Sequence, residues 1–142
     1  MRKYEEWLSY AERDIKFARV ALREGFLTHC CFLSHQCVEK SLKAYLVSKG
    51  QLYPKSHHLP ELLSLCEASQ RTFSRMSRDC NVLNPHYIPT RYPDMAGKYP
   101  QAASPSKADA ADALRRAKRV FNFVKEIIKY GNNSNRRNTN KS

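Results

Sequence analysis

The chain has 142 residues, 42% of them hydrophobic and only 4 of them glycine. That is enough for one domain that buries a core without disulfides or a structural metal, and too poor in turn residues for a β sandwich. Lys and Arg number 25 against 13 Asp and Glu, a formal net charge of +12, which favours polyanionic or acidic partners through long-range attraction and also serves solubility. No stretch approaches the roughly 20 apolar residues of a membrane span, and the opening Met1-Arg2-Lys3-Tyr4-Glu5-Glu6-Trp7 has acids where a signal peptide has an apolar run. A cytoplasmic protein without membrane contact is expected.

Apolar residues at Tyr4, Leu8, Ala11, Ile15, Ala18 and Leu22 alternate steps of four and three, which predicts a first helix ended by Gly25. A second helix, about residues 26–49, carries two apolar stripes: Phe26, Cys30, Leu33, Cys37 and Ala44 on one, Cys31, Val38, Leu42 and Tyr45 on the other. A helix apolar on two sides needs two neighbours, so this one is also the expected face of a two-fold dimer. Gly50 and Pro54 close it, and Ser56 is the expected cap of a short third helix with Pro60 in its first turn and Leu59, Leu62, Leu63 and Cys66 inward. Phe73, Met76, Cys80 and Leu83 repeat the helical spacing until Asn84-Pro85 breaks it.

Residues 84–105, rich in Pro, Tyr, Gly and Ser, have no helical period and exceed the ~4 to 6 residues of an ordinary connection, which marks the segment as functional or disordered. Ser104-Pro105, or Ser106 with Asp109, then opens a last helix with Ala110, Leu114, Ala117, Phe121, Val124 and Ile128 inward and Arg115, Arg116, Lys118, Arg119 and Lys125 largely outward. Gly131 is its expected end. The sum is an all-α, up-and-down four-helix bundle with an additional short helix, spanning residues 1–131 and followed by a disordered, Asn-rich basic tail, residues 132–142. The five cysteines, Cys30, Cys31, Cys37, Cys66 and Cys80, are odd in number and fall largely on apolar stripes, so they read as reduced core thiols.

Three patterns in order, His35-Gln36-Cys37-Val38-Glu39-Lys40-Ser41-Leu42-Lys43-Ala44, Ser56-His57-His58-Leu59-Pro60-Glu61-Leu62-Leu63 and Tyr87-Ile88-Pro89-Thr90-Arg91-Tyr92-Pro93-Asp94, resemble the HEPN family, the higher eukaryote and prokaryote nucleotide-binding domain. Trp7, Ala11, Asp14, Ala18 and the alanine-rich last helix extend the resemblance to about residues 4–130. It implies a helical bundle that forms a homodimer, often encoded beside a minimal nucleotidyltransferase-like protein partner in toxin-antitoxin fashion, and in many relatives a metal-independent ribonuclease toxin. The family's active members carry an Arg-x4-6-His motif near the start of a late helix. Here no histidine follows Arg91, and Arg23-x5-His29 fits by count only, at the first helix boundary.

Cleavage of RNA by its own 2′-hydroxyl requires a base, an acid and positive charge on the phosphoryl oxygens. Arg91 is the candidate for the charge and His86, which precedes it in the same segment, for proton transfer. Tyr92 and Tyr87 could stack on a base or anchor the segment. Gln36, Lys40 and Lys43 recur at four and three along the second helix and are the candidate lining of a ligand cleft, against the alternative of a solvated polar stripe. His57 and His58 read as capping and packing residues. His35 and Cys31 share a four-residue step but lack further ligands, so no metal and no cofactor are expected. The first reading is an RNA- or nucleotide-binding component of a two-protein module. The alternatives are the ribonuclease toxin and a structural helical interaction module.

Overall fold

Gly25 and Gly50 take up left-handed backbone, φ +84° and +69°, and each ends a long helix. Phe26 N donates to Ala21 O at 2.8 Å and Gln51 N to Leu46 O at 3.0 Å, the six-to-one bonds of a helix stop that glycine adopts without a Cβ penalty. In the computed structural model, which describes residues 3–87, 97–98 and 100–139, the helices so ended are α1 (Lys3–Arg23) and α2 (Leu27–Ser48). They are followed by α3 (Leu59–Ser69), a 3-10 turn Arg71–Met76, α4 (Ser77–Leu83), a second 3-10 turn Asn84–Tyr87, a single helical turn Pro100–Ala103 and α5 (Lys107–Thr139). Over the described residues the protein is all-helical, as its composition and periodicity predict.

α2 is the axis of the bundle. It packs most extensively on α1, next on α5, and also meets α3 and α4. From Cys30 onward its two apolar stripes are therefore satisfied inside one chain: Cys30, Cys31, Cys37, Val38, Leu42, Tyr45 and Leu46 are all buried, and only Phe26, at the start of one stripe, stays exposed. The expectation that α2 supplies a dimer face is thus corrected, because the neighbours its stripes require are α1 and α5 themselves. Large apolar side chains that remain exposed include Tyr10, Phe17 and Val20 on α1, and others scattered along the chain such as Phe26, Leu52 and Tyr130. All five cysteines are buried free thiols. Desolvation pushes Cys31 and Cys80 up to about 12 and raises Cys37 and Cys66 as well, so these sulfurs are packing groups and not nucleophiles.

The helix starts show where local chemistry was read correctly and where it was not. Ser106 and Asp109 cap α5 reciprocally: Ser106 N donates to Asp109 Oδ2 and Asp109 N to Ser106 Oγ, both at 3.0 Å. α3 is capped by His58, whose Nδ1 accepts from Glu61 N at 3.3 Å, while Ser56 Oγ donates to Glu61 Oε2 at 2.8 Å. The residue expected as the cap thus braces the side chain at the third helical position. Asn84, just past α4, turns back so that its Oδ1 accepts from Leu59 N at 2.9 Å.

α5 does not stop at Gly131 but runs on to Thr139. Glycine in a helix costs only about 1 kcal/mol relative to alanine, and extending an established helix is cheap once its nucleus exists. The chain makes no turn here, so glycine is not needed as a stop. Arg116, expected on the outer face, is instead half of a tie between helices: its Nη1 donates to the buried Asp79 of α4 at 2.9 Å, and Arg119 Nε donates to the other carboxylate oxygen at 3.2 Å.

Candidate nucleic-acid interface

Gln36, Glu39, Lys40 and Lys43 of α2 meet side chains from α1 and from the connection to α3 in a polar network. Glu39 is its hub. One carboxylate oxygen accepts from Lys43 Nζ at 3.1 Å; the other accepts from His57 Nδ1 at 2.8 Å and from Gln36 Nε2 at 3.4 Å. The side chains of Glu39 and Lys43 are each only 6% exposed. A charge pair this deep persists because several donors converge on one carboxylate. The next residue, Lys40, donates through Nζ to Asp14 of α1 at 2.6 Å. Burial raises the Asp14 carboxyl above its ordinary value, opposed by the Lys40 contact.

His35 is fully buried beneath this network. Its Nε2–H donates to the His57 carbonyl at 2.9 Å and its Nδ1 accepts from Gln36 Nε2 at 3.2 Å, which fixes the neutral tautomer. Burial pushes its pKa down to about 4. Above it Tyr87 lies parallel to His57, ring centroids 4.2 Å apart and planes 16° from coplanar, and leans on His35 and Phe32 at 5.5 and 6.0 Å. Tyr87 is therefore an anchor, clamped among three rings at the point where the chain enters residues 88–96. Arg91 and Tyr92 fall in that segment, outside the described residues.

His57 stands differently from the other histidines of this region. Its side chain is 48% exposed; its Nδ1–H is held by a buried carboxylate, and its Nε2 is left as a lone pair facing away from that bond. That is the arrangement in which an imidazole accepts or donates a proton at one nitrogen while its orientation is fixed through the other. His86 has the opposite character. It lines a small cavity of about 130 Å³ with Val82, Pro85, Ala102 and Asp109, its buried Nδ1 has no hydrogen-bond partner among the described residues, and burial lowers its pKa with Asp109 opposing.

Of the candidates read from sequence, Gln36 and Lys43 converge on Glu39, and Lys40 is drawn to Asp14. His86 lies in its own cavity, among Val82, Pro85, Ala102 and Asp109. Sequence reasoning passed over Glu39 and His57 as a pair because they are 18 positions apart. The available signal was an acid on the one polar edge of an otherwise buried helix, which has to find donors. Among the described residues no group of three or more His, Cys, Asp or Glu side chains could hold a metal ion, and no helix is long and apolar enough to cross a membrane.

An all-helical bundle wrapped around one buried central helix, with a polar network beside the Tyr87 ring stack, is the class of protein these features define. The chain belongs to the HEPN family: the HEPN domain pattern matches residues 4–127. It is similar to ST0689, described as an archaeal HEPN homologue, with a TM-score of 0.72 and 31% identity over 90% of this chain and 99% of that one. A structure of TT1696 from Thermus thermophilus matches with a TM-score of 0.75 and 28% identity, covering 89% of this chain and 98% of the other. Among curated proteins, one named "Putative toxin MJ1304", from Methanocaldococcus jannaschii, is 22% identical over 131 residues, 87% of this chain and 86% of its own.

Proposed function

We propose that this protein is a toxin-type HEPN component that contacts RNA or a nucleotide at the His57–Tyr87 face and acts in the cytoplasm with a nucleotidyltransferase-like partner. The observation that carries the reading is the Glu39–His57 pair: a half-exposed imidazole, aimed by a buried carboxylate and stacked on the tyrosine that leads into the Arg91 segment. Arg91 supplies charge to a phosphate, and Tyr92 and His57 meet a base or ribose. Gln36 and Lys43 act from behind, holding Glu39 in place, and Lys40 ties α2 to α1 through Asp14. The net charge of +12 brings a polyanion to this surface, and the toxin name of the similar archaeal protein supports the toxin-type role. A homodimer would form through the exposed Phe17 and Val20 of α1, at 64% and 43% exposure.

A second reading, metal-independent RNA cleavage, is favoured by the same pair, with His57 in the role assigned from sequence to His86. It ranks below binding because cleavage needs an acid and a base, and the neighbouring His35 is neutral with both ring nitrogens engaged. The binding reading is tested by titrating single-stranded RNA at several salt concentrations. Binding should weaken steeply with salt, and Arg91→Ala should weaken it about tenfold while making the log–log salt slope shallower by about 0.7, as expected for one lost phosphate contact to a single strand. RNA that is not bound even at low salt contradicts the proposal, and binding unchanged by Arg91→Ala removes Arg91 from it.

A further inference from the structure

Trp7, the chain's one tryptophan, lies one turn before the buried Ala11 of α1 and is partly buried, with its ring edge-on to Tyr53, centroids 5.2 Å apart. These two rings, with Lys3, Glu6 and Tyr10, line an open cavity of about 480 Å³, a volume within the ~300 to 1,000 Å³ range of small-ligand sites. Lys43 Nζ lies 5.7 Å from the Trp7 ring centroid and 5.6 Å from that of Tyr53. Tyr10 carries the Arg13 guanidinium over its face at 4.9 Å. Cations thus already sit against three rings, an arrangement in which cation–π attraction holds the aromatic walls in place before any ligand arrives.

The cavity is joined to the site described above. The Lys43 ammonium behind the aromatic walls is the one held by Glu39, and Glu39 also holds His57. One buried carboxylate therefore fixes both the wall of this pocket and the imidazole of the His57–Tyr87 stack. Neither Lys3 nor Glu6 makes an ion pair or hydrogen bond with another described side chain, and both are exposed. The pocket consequently offers flat aromatic surface, one free carboxylate and one free ammonium.

We infer that this cavity is a base-binding pocket for single-stranded RNA with a preference for guanine. A base that stacks on one of these two rings meets the other edge-on, since their planes stand 82° apart, and such stacking accepts any base because every base has a π face. The carboxylate discriminates: Glu6 only accepts hydrogen bonds, so its two oxygens are matched by a base edge with two adjacent N–H donors. Guanine presents N1–H and N2–H side by side, whereas adenine, cytosine and uracil place an acceptor beside their donor. Lys3 is free for the attached phosphate. The inference deepens the RNA-contact reading and rests on it, adding a second base position next to the His57–Tyr87 face.

Because Trp7 is the sole indole, its fluorescence reports the pocket directly. GMP should quench it saturably and at least about tenfold more tightly than AMP, CMP or UMP, the discrimination expected of one bidentate contact. Glu6→Gln should erase that preference while leaving quenching by all four, and Tyr53→Ala, with its fold checked by circular dichroism, should weaken all four together. Quenching that is equal for the four nucleotides and unchanged by Glu6→Gln overturns the inference, as does the absence of saturable quenching by any. RNA gel shifts run alongside separate the two levels. RNA bound equally by wild type, Glu6→Gln and Tyr53→Ala sinks the pocket and leaves the RNA-contact reading standing; RNA not bound by wild type sinks both.

Discussion

Glu39→Ala should destabilise the protein by about 3 to 5 kcal/mol in denaturant unfolding, the range found when one partner of a buried ion pair is removed. The carboxylate is the common acceptor for Lys43, His57 and Gln36, and its loss leaves an ammonium 6% exposed with only aromatic faces beside it. The penalty comes from the stranded charge, so it should be largely relieved by removing that charge too. Glu39→Met combined with Lys43→Met, which replaces the pair by apolar side chains of similar length, should recover more than half of the loss. A double-mutant cycle gives the coupling energy. A Glu39→Ala loss under about 1 kcal/mol would show that Lys43 escapes to solvent and that the network is not the rigid support assigned to it.

Stability should also fall with acidification across pH 6.5 to 4, by about 3 kcal/mol from His35 alone at 1.36 kcal/mol per pKa unit. The native imidazole is held neutral with a pKa near 4, against 6.5 for the unconstrained group. In that window the unfolded chain binds a proton that the folded chain refuses. The contribution is fully present above pH 6.5 and is lost as pH drops through the window toward 4. His86, also lowered by burial, acts in the same direction, whereas Asp14, whose carboxyl is raised, opposes it. His35→Gln keeps a donor for the His57 carbonyl but cannot titrate, so it should flatten the stability profile between those pH values. Equal pH dependence in wild type and His35→Gln would place the proton-linked group elsewhere.

The regular parts of this fold were readable from spacing alone. α1 and α2 follow their three-and-four apolar patterns to glycines that do take left-handed backbone, and the Ser106–Asp109 box caps α5 as written. These are short-range effects, fixed by residues within one turn of each other. What spacing could not provide was the identity of the neighbours. Two apolar stripes on α2 require two partners, and nothing in the stripes says whether those come from the same chain or another; here they are α1 and α5. The same limit hid the site. Lys40 and Lys43 share an edge of α2 with Gln36, but their partners, Asp14 in one case and the Glu39–His57 group in the other, emerge only when α1 and the α2–α3 connection close over that edge. His58 caps α3, in line with its reading as a capping residue, whereas Ser56 bonds the Glu61 side chain instead, because the turn leading into α3 decides which side chain reaches the free amides.

Whether the oriented histidine of this HEPN protein binds RNA rather than cuts it is decided by incubating end-labelled single-stranded RNA with the purified protein in excess EDTA, beside His57→Ala and Arg91→Ala. RNA should stay full length in all three, be retarded in a low-salt gel by the wild type, and be retarded less by each variant. Cleavage by the wild type that His57→Ala abolishes would contradict this and make the Glu39–His57 pair the proton-transfer group of a metal-independent ribonuclease.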